Sequence, residues 1–234
     1  MKISRHTSLF AVLVAAPILL GLAGRRAVFS SPLAPDATAR RTAAQQFYTR
    51  VLGQWVGTTV SRLDTAEPVT GYFHLLITRV DENTFREEYT FYRIHPKTGV
   101  LERSGTQSDL TTIANDGVIH RTSRGSGTVL IDFKPKNQSF EASGEARFTG
   151  ADRLEAEATG KIAVDGMPLG LGKRGKIQKA TATWSLADDK LIGQTHLEMK
   201  FRVLFFGKRY RIETQLRAQR GANVQIVAGR APVS

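Results

Sequence analysis

The chain has 234 residues and a formal net charge of +12, from 33 Lys and Arg against 21 Asp and Glu. It contains no cysteine, which excludes a disulfide framework, thiol catalysis, iron–sulfur and Cys-type zinc sites, and a lipoprotein anchor. At 41% hydrophobic residues it can bury a core, its 21 glycines suit a turn-rich β protein, and its charge favours anionic partners.

Lys2, Arg5 and His6 precede an apolar run from Leu9 to Gly24 that is short for a membrane span. This is the layout of a secretory signal over residues 1–23, with Gly21-Leu22-Ala23 placing small residues before a cut after Ala23. The expected mature protein is exported, periplasmic or extracellular. The alternative is an uncleaved N-terminal anchor, and Arg25 and Arg26 beyond the run mildly disfavour export. Residues 24–35 read as a linker, and residues 222–234 as a C-terminal tail.

Asp36 can cap a helix over about 37–52, within an N-terminal helical unit at 36–53. Ala44, Phe47, Tyr48, Val51 and Leu52 fall on one face, and Gly53 can end the helix in a left-handed turn. The period then changes to two, and the β-barrel domain is expected over 54–221. In Lys208–Arg220, Tyr210, Ile212, Thr214, Leu216 and Ala218 share one face, while Arg209, Arg211, Glu213, Gln215, Arg217 and Gln219 share the other. The segment from 190 to 206 repeats the pattern, with Gly207 at the expected hairpin. Earlier strands read near 54–63, 70–80, 84–94, 100–108, 117–122, 127–134, 138–148, 153–164 and 176–186. Turn signals separate them, among them Asp81-Glu82-Asn83, Asn115-Asp116-Gly117 and Pro135-Lys136-Asn137. The connections are short, so the sheet is an antiparallel meander that closes to remove its edges. The fold class is all-β: an antiparallel up-and-down barrel of about 8–11 strands, preceded by one amphipathic helix.

The helix runs into Gly53-Gln54-Trp55, which resembles the Gly-x-Trp signature opening the first strand of lipocalins and their calycin relatives. The resemblance implies that Trp55 closes one barrel end and that a basic residue of the last strand, Arg211 or Arg217, packs over its ring. The chain departs from lipocalins in reading more than eight strands and no C-terminal helix. Fatty-acid-binding relatives hold a carboxylate with Arg-x-Tyr on the last strand. Here Arg209-Tyr210-Arg211 turns Tyr210 inward and both arginines outward, against simple fatty-acid carriage.

Chemistry-bearing motifs are thin. No nucleophile elbow, phosphate loop or dinucleotide fingerprint is present, and Gly170–Gly175 lacks the strand-to-helix context of a phosphate loop. His74, His95, His120 and His196 do not have metal-pair spacing, so no metal site and no cofactor are expected. His120, beside Val118 and Thr122, is the histidine expected to reach the interior. Strands 138–148, 153–164 and 176–186 carry Ala and Gly at mid-strand. The space this leaves is filled either by Phe85, Tyr89 and Phe91 or by a ligand, for which Glu87 and Arg93 supply the polar contacts.

The leading expectation is a lipocalin-like, non-enzymatic binding or carrier protein for a small, largely apolar ligand, contacted by Glu87, Tyr89, Phe91, Arg93 and His120. The alternative is a membrane-surface or assembly module with a solid barrel. The loop at 165–175 and the turn at Gly207 should emerge at one end and dock on an anionic membrane through Leu171, Lys173, Arg174, Phe206, Lys208 and Arg209. No nucleic-acid partner is expected.

Overall fold

A computed structural model describes residues 36–95, 98–131, 134–150, 153–165, 171–203 and 206–221. The signal, linker and tail expectations lie outside these residues. One helix, α1 (Ala37–Val51), leads into ten strands. These are β1 (Gly53–Leu63), β2 (Val69–Arg79), β3 (Thr84–Ile94), β4 (Leu101–Ile113), β5 (Ile119–Ile131), β6 (Lys134–Gly150), β7 (Arg153–Val164), β8 (Leu171–Ala187), β9 (Lys190–Val203) and β10 (Phe206–Arg220). Each strand pairs antiparallel with its sequence neighbours, and β10 closes the barrel on β1.

Period-two alternation drives this fold. On β10 the expected inward set, Tyr210, Ile212, Thr214, Leu216 and Ala218, is buried, and the arginines and Glu213 between them are exposed. On β10 the outer face is thus charged and the inner face mainly apolar, the inverse of a strand that meets lipid.

The helix plugs one end. Asp36 caps it by accepting from the Ala39 backbone N–H at 2.7 Å. Its apolar stripe Ala44, Phe47, Tyr48 and Val51 is buried. Tyr48 stacks on Phe85 at 4.7 Å, and Phe47 meets Phe148 edge-on at 5.2 Å. Leu52 is the C-cap, and Gly53, at φ +108°, turns the chain into β1. Trp55 then lies buried under the last helical turn and donates its indole N–H to the Val51 carbonyl at 2.8 Å. Arg220, directly opposite Trp55 on β10, lies 4.8 Å over its ring. Its guanidinium donates to the Leu52 carbonyl at 2.9 Å and to the Arg50 carbonyl, satisfying helix C-terminal acceptors.

Four expectations are corrected. The basic partner of Trp55 is Arg220, because the β1–β10 register places Arg217 opposite Thr58 and Arg211 beyond Leu63. The segments 117–122 and 127–134 belong largely to one strand, β5, giving ten strands where eleven were read. Gly125 sits mid-strand because a Cβ there would lie 2.2 Å from the Phe140 ring, so it marks a close approach and not a turn. Gly207 pairs with Arg202 inside β10, so the β9–β10 turn falls before it. Finally, Leu171–Gly175 opens strand β8, shortening the expected loop.

Trp55→Ala should cost about 3–5 kcal/mol, as truncation of a large buried aromatic does. A urea midpoint equal to that of the parent would contradict the closure described.

Candidate functional site

Inward positions of three neighbouring strands bring charges together beneath the helix. β3 contributes Glu87 and Tyr89, β4 contributes Gln107, Asp109 and Thr111, and β5 contributes Arg121. Register sets Glu87 opposite Asp109, and Thr111 opposite Arg121. Arg121 Nη2 donates to Glu87 Oε2 and, at 2.6 Å, to Asp109 Oδ2, so one cation joins two carboxylates. Tyr89 donates to Glu87 Oε2 at 2.9 Å, and Thr111 donates to Glu87 Oε1 at 3.2 Å. Gln107 donates to both oxygens of Asp109, at 3.0 and 2.9 Å. Asp109 and Thr111 are wholly buried, and Arg121 and Glu87 are 3% and 4% exposed.

The electrostatics follow from two negative charges meeting one positive charge out of water. Burial, with Glu87 adding to it, pushes the Asp109 carboxyl up to about 6. Burial alone would lower the Arg121 pKa, but Glu87 and Asp109 outweigh it and hold the guanidinium more firmly protonated than usual. Burial and then Glu87 also raise the phenols of Tyr48 and Tyr89 above their ordinary range.

Among the described residues, the space bordering this cluster is small. A cavity of about 20 Å³ borders Glu87, Tyr89, Arg121, Leu154 and Trp184, room for about one water. Arg121 Nε and Gln107 Oε1 have no hydrogen-bond partner among the described residues. The alanine stripe is real: Ala146, Ala156 and Ala182 form one cross-strand rung, and Ala158 pairs with Ala180 in the next. Bulk from Phe73, Leu75, Phe85, Tyr89 and Phe91 on β2 and β3 balances it within one continuous core. Farther from the helix, Ile162, Met199, Phe201, Tyr210 and Ile212 are each 4% exposed or less.

Of the residues expected to contact a ligand, Glu87, Tyr89, Phe91 and Arg93 all point inward. Tyr89 and Phe91 stack at 5.7 Å. Arg93 stands apart from the cluster, bonded to Glu102 at 2.7 Å and to the Thr128 carbonyl at 3.2 Å. His120 does not reach the interior: it is exposed on the outer wall with Nδ1 3.9 Å from Glu145. The parity was read one residue out, since Ile119, Arg121 and Ser123 are the inward set of β5. That slip hid Arg121, and ending β4 at 108 hid Asp109 and Thr111. The available signal was Gln107, Asp109 and Thr111 alternating into apolar Ile113.

At the end opposite the helix, Leu171 and Phe206 both pair with Val203, so the β7–β8 loop and the β9–β10 turn emerge together. Arg174 and Arg209 are exposed there. The side chains of Leu171, Lys173, Phe206 and Lys208 lie outside the described residues. An open groove of about 1410 Å³ crosses the wall from β3 to β9, lined by exposed Lys, Arg, Ser and Glu side chains together with the buried Tyr89, Gln107, Phe140 and Ile162.

The closed antiparallel barrel, the helix feeding it and the Trp55–Arg220 contact fit a calycin-like fold. No protein-family model matches the chain, and no curated protein matches it. Among solved structures it is similar to Rv2717c from M. tuberculosis, at 14% identity and a TM-score of 0.43, over 81% of this chain and 100% of that one. It is also similar to the S-type phycobiliprotein lyase CPES from Guillardia theta, at 9% identity and a TM-score of 0.31, over 82% of this chain and 99% of that one.

Two outcomes test the cluster. Arg121→Met leaves two buried carboxylates without a cation and should cost about 3–5 kcal/mol. Asp109→Asn should gain stability relative to the parent as pH rises. The parent's folded state holds the Asp109 proton up to about pH 6 and its unfolded state only to about 3.8, so this group's contribution declines between those values. Urea midpoints of both proteins at pH 4 and pH 7 read the difference, and an equal difference at the two pH values contradicts the assignment.

Proposed function

We propose that this protein is an exported, non-enzymatic, calycin-like binding module that works through its outer surface, with the barrel interior serving as a filled structural core. The observation that carries this reading is the packing. The inward carboxylates take their hydrogen bonds from Arg121, Tyr89, Thr111 and Gln107, and the space beside them has the size of a single water. A drug-sized ligand needs a few hundred Å³ at least. The charged outer wall, with a groove on it, is the surface left for recognition.

Carriage of a small apolar ligand inside the barrel is the second reading. The alanine rungs favour it, because rotation of Tyr89 and Phe91 away from them is the simplest way to open room. In that reading Glu87 gives up its bond from Tyr89 to meet the ligand.

A titration with the neutral apolar dye Nile red separates the two. The solid-core reading expects no saturable fluorescence rise at micromolar protein, whereas a one-to-one saturable rise lost in Tyr89→Trp supports carriage. For export, N-terminal sequencing of the native protein should begin at Gly24. An intact Met1 in a membrane pellet supports the anchored form.

A further inference from the structure

The outer wall of β7 to β10 carries an arrangement that antiparallel sheets ordinarily avoid. Lys161 lies opposite Lys176, Lys176 opposite Lys200, and Lys200 opposite Arg209. All four are exposed. Like charges placed directly across strands destabilise a sheet. With strands about 4.8 Å apart, the row runs for about 14 Å. None of the four makes an ion pair among the described residues. One rung nearer the helix the wall is neutralised, with Lys179 3.9 Å from Glu157 and Arg211 3.3 Å from Glu198. The uncompensated row is therefore local, and it is not a general property of a basic surface.

The same rung continues from Lys161 through Glu141 and Arg124 to Ser108, along the floor of the 1410 Å³ groove. The inward residues next to this level pack closely. A Cβ on Gly125 would meet Phe140 at 2.2 Å, and one on Gly175 would meet Phe201 at 2.8 Å. Glycine lets the backbone lie close against these rings. The groove's exposed lining supplies cations, hydroxyls and carboxylates. Its aromatic residues, Tyr89 and Phe140, face the core and offer no stacking platform.

We propose that this groove binds a linear acidic polysaccharide, a chain of sugars bearing carboxylates or sulfates. Lys161, Lys176 and Lys200 hold successive anionic groups in the groove, and Arg209 extends the row beyond its lining onto β10, while Ser108, Ser126, Ser139 and Glu141 meet sugar hydroxyls. Charge complementarity gives the sign of the occupant, and the groove's length across seven strands gives its chain-like form. A bilayer is flat and cannot enter a recessed groove. Single-stranded nucleic acid binds by stacking bases on aromatic side chains, which the exposed lining lacks. The proposal rests on the outer-surface reading above, but its failure is separable: Nile red reports on the core and leaves the groove untouched.

The test is fluorescence anisotropy with labelled oligogalacturonate and heparin oligosaccharides at low and high salt. Neutral dextran, a dT oligonucleotide and phosphatidylserine vesicles are the other arms. Wild type should bind one of the acidic oligosaccharides more tightly than the oligonucleotide or the vesicles, less tightly as salt rises, and should ignore dextran. The pair Lys176→Glu with Lys200→Glu should weaken binding at least tenfold. The control pair Arg62→Glu with Arg86→Glu changes the charge equally on exposed sites elsewhere and should stay within twofold of wild type. Because the row pair relieves repulsion, its urea midpoint should equal or exceed the parent's, which shows that lost binding is not lost folding. Equal losses in both pairs, tighter binding of the oligonucleotide or the vesicles, or no binding to either acidic oligosaccharide each overturns the proposal.

Discussion

Arg121, held between Glu87 and Asp109, is the contact on which the interior depends. A carboxylate taken out of water is costly unless paired, and here one guanidinium serves two. The three residues come from β5, β3 and β4, so the contact also fixes the register of three strands. A one-residue slip in any of them would send its charge to the outer wall and a polar residue to the core. Tyr89, Thr111 and Gln107 take up the carboxylates' remaining acceptor positions, and Tyr48 brings the helix down over the cluster. The helix plug, the β3–β4–β5 wall and the ionic core therefore form one cooperative unit.

The packing of the described core bears on the rest of the molecule. The alanine rungs of β6, β7 and β8 permit the bulky wall of β2 and β3 to pack across the barrel. The glycines of β5 and β8 let the backbone lie close against Phe140 and Phe201. On the outer face the adjacent register positions carry the row from Lys161 to Arg209, so close packing inside and repulsion outside are neighbours along the sheet. Repulsion retained in a sheet that could place Glu there, as it does one rung away at Glu198, points to a use for the charge.

Much of this was legible in the sequence wherever alternation was clean. The inward set of β10 could be read because its inward and outward residues differ clearly in polarity, and the capped helix and the buried Trp55 because helical spacing and the Gly-x-Trp signature mark them. The reading failed where a glycine served packing and not a turn. The strands expected at 117–122 and 127–134 leave Gly125 between them, and the first takes its parity from His120. Inverting that parity put Arg121 outside and concealed the ionic core. The partner of Trp55 needed two facts: Arg220 has the inward parity of Tyr210 and Ala218 while Arg211 and Arg217 face out, and the β1–β10 register, which barrel closure sets, brings Arg220 opposite Trp55. The cationic row was likewise invisible, because its members are distant in sequence and meet only through register.

The central claim is that the barrel interior is complete without a guest. Native mass spectrometry of the protein purified from its source tests it most directly. The account predicts the mass of the bare polypeptide, unchanged between gentle and denaturing conditions. A small molecule bound one to one and released on denaturation would contradict it.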